Sequence, residues 1–220
     1  MRIVTPWRDR QGYLTIMLAT LKEAMRDHND VHVTLYNNES KAPPPEICNE
    51  FSSLEHRTVS AFDCHHVFIN MFNEEFERCD DDYILNIDSD CCIHPYFIHA
   101  VKELVQECPD FGHASFYNEG NHPEPPTILM GKYHVRDHIS MTASLIRRGA
   151  WEAFKKPTPG SDMRDGCIDG ALSWSVSEST EWNCYSTVRS YVEHIGATGA
   201  YAQIDDGGIS HAHRARRFYP

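Results

Sequence analysis

From Arg2 to Trp7 the chain reads RIVTPW, an apolar run ended by the polar stretch RDRQG, and this pattern predicts a short buried strand. The following YLTIMLATLKEAMRDH places Leu14, Met17, Leu18, Leu21 and Met25 at helical spacing. VHVTLYNNES then alternates, with β-branched residues first and turn formers after. Strand, helix, strand predicts a βαβ opening, a parallel sheet and a right-handed crossover. RTVSAF predicts a third strand, and HHVFINMFNEEFERC a helix with Val67, Phe68, Met71, Phe72 and Phe76 on one side. YILNI, Tyr83 to Ile87, carries apolar residues on both faces, as a central strand does. PYFIHAVKELVQEC predicts a helix with Pro95 in its first turn and a buried stripe of Phe97, Ile98, Val101, Leu104, Val105 and Cys108.

The second half is less regular. FGHASFYN and ISMTASLIRR predict strands, GAWEAF a short helix and IDGALSWSVSE a longer one. YSTVRSYVEHIG reads as a strand that then turns. EGNHPEPPTILMGKYHVRDH is an irregular excursion and KPTPGSDMRDG a loop. No repeat and no shift of composition marks a boundary. The expectation is one α/β domain over residues 1–220, with a nucleotide- and metal-binding half at 1–110 and an acceptor half at 111–220 that ends in a lid.

Composition narrows the function classes. The 220 residues carry a net charge of -12 with histidine neutral, which argues against a general nucleic-acid binder. An acidic protein that handles phosphorylated ligands needs a cation or a local basic cluster. The opening MRIVTPW has no basic-then-apolar leader, and no stretch is long and apolar enough for a membrane span. The 8 cysteines are scattered and form no CxxC pair. The expectation is a soluble, cytoplasmic protein with reduced thiols that is not secreted.

The chemistry gathers where YILNI stops at Asp88-Ser89-Asp90. Ligands of open parallel sheets sit beyond the carboxyl ends of the strands. There two acids can lean toward one hard cation, Mn2+ or Mg2+, which in turn holds phosphate oxygens. A helix cap and a turn would use the same two acids. The surrounding NEEFERCDDDYILNIDSD resembles the segment that ends in the Asp-x-Asp motif of GT-A glycosyltransferases, through Asn73, Cys79, Asp81-Asp82, Tyr83-Ile84 and Asp88-Ser89-Asp90. The likeness covers roughly the first 110 residues, a domain-sized stretch. Within that superfamily the chain is similar to the small soluble glycosyltransferase domains encoded by large algal (chlorella) viruses, whose relatives build capsid glycans. Phe72 and Glu75 depart from the usual Arg and Gly of family 2, which leaves Arg8 and Arg10 as candidate nucleotide contacts.

The resemblance implies a metal-dependent transfer of sugar from a UDP-sugar to a hydroxyl of a glycan acceptor. It implies a GT-A, Rossmann-like fold with a mixed, mostly parallel sheet flanked by helices. Thr5, Pro6, Trp7, Arg8 and Asn38 would hold the uracil and ribose, with Asn73, Asp88 and Ser89 nearby and Arg214 on the diphosphate. Trp7 offers a stacking face or a core ring, and Asn38 a base-reading amide or a turn residue. Asp88 and Asp90 would ligate the metal, with His211 or His213 completing the shell. Asp169 in CIDGALSW would be the general base of an inverting enzyme, with Asp165 in reserve, although an N-cap would use the same residue. Trp151 and Trp174 are candidates for a sugar platform or for core packing, and His194 resembles a turn near the acceptor. The tail SHAHRARR, with Arg214, Arg216 and Arg217 after the DDGG pair, would fold over the donor. Two rivals are a sugar nucleotidyltransferase, for which TPWRDRQGY lacks a Gly-rich basic loop, and a non-catalytic nucleotide-sugar or glycan-binding module.

Overall fold

The computed structural model describes residues 1–60, 64–118, 128–129, 131–155, 168–196, 204–205 and 208–209. In chain order these form β1 (Arg2–Trp7), α1 (Gln11–Ala24), β2 (His32–Asn37), β3 (Leu54–Thr58), α2 (Cys64–Arg78), β4 (Tyr83–Ile87) and β5 (Cys91–Ile93). Then follow α3 (Phe97–Glu107), β6 (Phe111–Ser115), β7 (Ile128–Leu129), β8 (Tyr133–Val135), β9 (Ala143–Arg147) and α4 (Arg148–Lys155). The described chain continues with α5 (Ile168–Ser177), β10 (Asn183–Thr187), β11 (Val192–His194), β12 (Ile204–Asp205) and β13 (Gly208–Ile209). A 9-stranded sheet runs in the order β3-β2-β1-β4-β9-β6-β10-β8-β7. β1, β2, β3 and β4 pair in parallel, β6 pairs in parallel with β10, and β9 and β8 run against their neighbours.

Alternation along the strands builds two cores. Ile3, Leu85 and Ile87 face a layer of α1 and α3, where Leu14, Met17, Leu18, Leu21, Phe97, Val101 and Leu104 are buried. Val4 and Ile84 face the opposite layer of α2, α4 and α5, with Phe72, Phe76, Trp151 and Leu172. The expected helices and central strand are present. β3 starts earlier than RTVSAF suggested, because its register follows β2 from Val33↔Leu54 to Asn37↔Thr58. The excursion before residue 136 contains β7 and β8, which extend the sheet beyond β10. β5 and β11 form a separate two-stranded sheet, and the Asp205 and Gly208 ends of DDGG lie in β12 and β13, which pair antiparallel.

β1 is followed on one side by β2 and β3, while β4 lies on its other side. The crossovers therefore diverge between β1 and β4, and a crevice opens beyond the carboxyl ends of those strands. The β1 and β2 ends are stitched together there. Asn38 N–H donates to the Trp7 carbonyl at 3.0 Å, and the Asp9 carboxylate accepts from Lys41 N–H at 2.8 Å and Ser40 Oγ at 3.0 Å. Asp9 and Glu39 both hold left-handed backbone, with φ of 48° and 56°. For residues with a Cβ this costs about 1–2 kcal/mol each, a strain that the loop hydrogen bonds hold in place.

On β6, His113 is fully buried between Ser144 Oγ (3.1 Å from Nε2) and Ser173 Oγ (3.4 Å from Nδ1). Burial, then the nearby His138, pushes its imidazole down to about 3. Unfolding restores an ordinary imidazole, so the unfolded chain binds more protons below pH ~6.5 and stability falls with pH through that window. Between pH 7 and pH 5 this one group is expected to cost about 2 kcal/mol. Urea titrations of wild type and His113→Gln at the two pH values test this, since the variant loses that much less.

Candidate active site

The acids that end β4 have different partners. Ile84, Asn86 and Asp88 share one face by strand parity, the side of α5. Asn86 is fully buried, and its Nδ2 donates to Asp88 Oδ1 at 3.1 Å and to the Met141 carbonyl at 2.6 Å. The Asp88 backbone N–H is tied to the Thr142 carbonyl beside β9 at 2.9 Å. Burial first, then the charge of Asp90 and more weakly that of Asp169, pushes the Asp88 carboxyl up to about 7. Asp169 opens α5 and so comes within electrostatic range of Asp88, which unites the sequence-predicted base with the motif.

At Ser89 the chain has left the strand and turns, and Asp90 meets other partners. Its Oδ2 accepts from Arg10 Nη1, and its Oδ1 lies 3.3 Å from His194 Nε2. Burial alone would raise the Asp90 carboxyl, but the His194 hydrogen bond and the His194 and Arg10 charges outweigh it and hold it below the usual range. His194 likewise loses basicity to burial and gains more from Asp90, so its imidazole is raised. β11 brings His194 there by pairing it with Cys91, and Ile195 N–H donates to the Asp90 carbonyl at 2.8 Å. Gly196 closes the wall: a Cβ there would stand 2.6 Å from Asp90 Cγ and 2.9 Å from its Cβ.

The other sequence-predicted residues separate into groups. Thr5 is buried at the end of β1, and neither its Oγ1 nor the buried Oδ1 of Asn38 has a hydrogen-bond partner among the described residues. Pro6 is half-buried, Arg8 is exposed beside the crevice, and Ser89 is buried in the turn. Trp7 is 2% exposed and packs in the α1 core, so the open stacking face considered for it is absent. Asn73 Oδ1 accepts from Trp151 Nε1 at 2.9 Å, which ties α2 to α4. Of the two tryptophans considered for a sugar platform, Trp151 is core and Trp174 stands 67% exposed on α5. Asp165, His211, His213, Arg214, Arg216 and Arg217 lie outside the described residues.

The pattern also hid several site residues. Asn86 had a signal, a polar residue inside an apolar strand. Tyr117 lies ring to ring with His194 at 6.4 Å and lines a shallow notch with Asn118, Arg136, His138 and Ser140. His138 flanks the first turn of α5, 3.4 Å from where a Gly170 Cβ would lie. A cavity of about 650 Å³ lies between the carboxyl end of α1 and the start of β2, at the opposite end of the strands from the acids.

The glycosyl transferase family 2 model matches residues 2–155. The chain belongs to this family. The family's α/β architecture, with the large, mostly parallel sheet of the GT-A fold, is the one described above. The S. aureus TarS 1-349 structure in complex with UDP-GlcNAc superposes with a TM-score of 0.62 at 11% identity, over 90% of this chain and 61% of that one. The mannosyltransferase PcManGT from Pyrobaculum calidifontis, in complex with GDP-Man and Mn2+, superposes with a TM-score of 0.55 at 10% identity, over 83% and 53%. The chain thus spans less than two thirds of either structure. A comparison with curated proteins gives no match. Among the described residues no group of three His, Cys, Asp or Glu side chains is arranged around one metal position, and no helix is long and apolar enough to cross a membrane.

The donor chemistry at the crevice nevertheless suits a hard cation. The charges of Asp90 and, more weakly, Asp169 both reach Asp88, whose carboxyl is raised there. Carboxylate oxygens are hard donors of the kind that Mg2+ and Mn2+ take.

Proposed function

We propose that this family 2 domain transfers a sugar from a nucleoside diphosphate donor, UDP-linked, to a hydroxyl of a glycan. One observation carries the reading: Asp88 and Asp90 end β4 at the point where the crossovers diverge, with Asp169 in electrostatic reach. Asp88 and Asp90 are the residues that would hold a divalent cation, with His211 or His213 from the tail. When bound, the cation supplies Lewis-acid stabilisation to the leaving diphosphate. Thr5 and Asn38, with unpartnered oxygens at the ends of β1 and β2, would meet the nucleoside, and Arg8 and Arg214 its phosphates. Asp169 would accept the acceptor hydroxyl's proton as that oxygen attacks the anomeric carbon, the role of a general base in an inverting transfer. Support for UDP comes from the sequence resemblance and from the UDP-GlcNAc complex of TarS, while the GDP-Man complex of PcManGT makes GDP the base to exclude. Support for a viral capsid glycan as the acceptor is the sequence resemblance alone.

The test is nucleotide release from a panel of UDP- and GDP-sugars, with Mn2+ and with EDTA, on wild type and Asp90→Ala. Release from one UDP-sugar is expected, abolished by EDTA and in the variant. Absence of release from every donor, together with nucleotide binding that ignores EDTA, would favour the non-catalytic binding module instead.

A further inference from the structure

Asp90 is walled on three sides. His194 holds one oxygen, the Gly196 backbone stands against the carboxylate, and Arg10 covers the other oxygen. Two of these walls are backbone-anchored, His194 by the β5–β11 pairing and Gly196 by Ile195 before it, whose N–H donates to the Asp90 carbonyl. Arg10 is different. Its backbone is fixed just ahead of α1, where its carbonyl accepts from Leu14 N–H at 3.0 Å, but its guanidinium ends a long flexible stem. The Arg10 side chain is 26% exposed against 6% for Asp90, so it covers the carboxylate from the solvent side. Arg10 follows β1, next to the crevice between β1 and β4, where open α/β sheets bind their ligands.

We propose that Arg10 is a displaceable counter-cation, a positioning residue that holds Asp90 in the donor-free protein and transfers to the donor's diphosphate when a metal ion takes its place. This rests on the metal-dependent reading above. A divalent cation reaches Asp90 only by evicting the guanidinium. Without nucleotide the evicted guanidinium loses the carboxylate it holds in this structure. With nucleotide it gains a diphosphate, whose oxygens suit its forked donors. Metal and nucleotide therefore favour each other's binding, and by linkage the favour is mutual. In the absence of both, Arg10 keeps the clustered acids from facing one another without a cation.

Mn2+ binding, read by the loss of the free-ion EPR signal, tests this on the whole chain with and without UDP. Wild type is expected to bind Mn2+ weakly alone and at least about tenfold more tightly with saturating UDP, the scale of one hydrogen bond to a charged group. Arg10→Gln, which keeps a hydrogen-bond donor and loses the charge, is expected to bind Mn2+ alone about tenfold more tightly than wild type, and its further gain from UDP is expected to be about tenfold smaller than in wild type. Arg10→Lys keeps the charge and is expected to retain the wild-type pattern. Unchanged Mn2+ affinity in Arg10→Gln, with the UDP effect intact, overturns the proposal and leaves the metal reading standing. A Lys variant that behaves like Gln also overturns it, because charge competition is then not the cause. If wild type with UDP binds no Mn2+, or Asp90→Asn binds it as wild type does, the metal reading fails and the proposal fails with it.

Discussion

Asp169→Asn is expected to lower kcat for sugar transfer by about a hundredfold to ten-thousandfold, the range for losing a general base. The amide keeps the shape of the carboxylate and removes only its charge and basicity. Asp169 sits in the first turn of α5, where a negative charge also stabilises the helix end. That second role is worth only about 0.3–1 kcal/mol, so the urea midpoint should shift little. The field of Asp169 at Asp88 disfavours an ionised Asp88. Its removal should therefore leave Mn2+-dependent UDP binding intact or slightly improved. Measuring kcat, donor KM and UDP affinity together separates the two roles. A fall in kcat of less than about tenfold, with a lowered urea midpoint, would leave Asp169 as a helix-end residue and return the base to another side chain.

The largest stability effect is expected at Glu75, whose carboxylate is wholly buried under β2. Tyr36 Oη donates to its Oε1 at 2.8 Å, Arg78 Nη1 donates to the same oxygen at 2.9 Å, and Arg2 Nη1 lies 3.3 Å from Oε2. Burial, then the charge of Glu75, raises the Tyr36 phenol, so it stays a donor at every working pH. Glu75→Ala removes the shared acceptor and leaves a buried hydroxyl and two largely buried guanidinium groups facing an apolar gap. Breaking a buried ion pair from one side typically costs about 3–5 kcal/mol. Arg78 keeps Glu55 at 2.7 Å, which places the expectation near the lower end, about 3 kcal/mol by urea denaturation. A loss under about 1 kcal/mol would mean that water replaces the carboxylate.

The Glu75 network also shows where pattern reading stops. From the sequence, Glu75 is a departure from the Gly expected after the helical Asn. In the fold it is a buried anchor, and nothing in NEEFERC announces that Arg2 and Tyr36 will converge on it from two strands. Trp7 is a similar case. Its position after a strand suits either a stacking ring or a core ring, and only the placement of α1 above it decides for the core. Asn73 was legible as a helical polar residue, but its partner Trp151 comes from a helix far along the chain.

By itself, the sequence determined the order of strands and helices in the first half, the central strand Tyr83–Ile87 and the pair of acids that ends it. These depend on local periodicity and on turn formers, which act within a few residues. The tertiary structure alone decided how those acids are divided. Asp88 follows strand parity toward Asn86 and α5, and Asp90, one turn later, meets Arg10 and His194, residues 80 positions before it in the chain and on a separate small sheet. Such contacts depend on how β1 and β4 are brought side by side and how the small β5–β11 sheet is set near their ends. That arrangement is set by the packing of two cores around one sheet, a long-range property that no local window of residues contains.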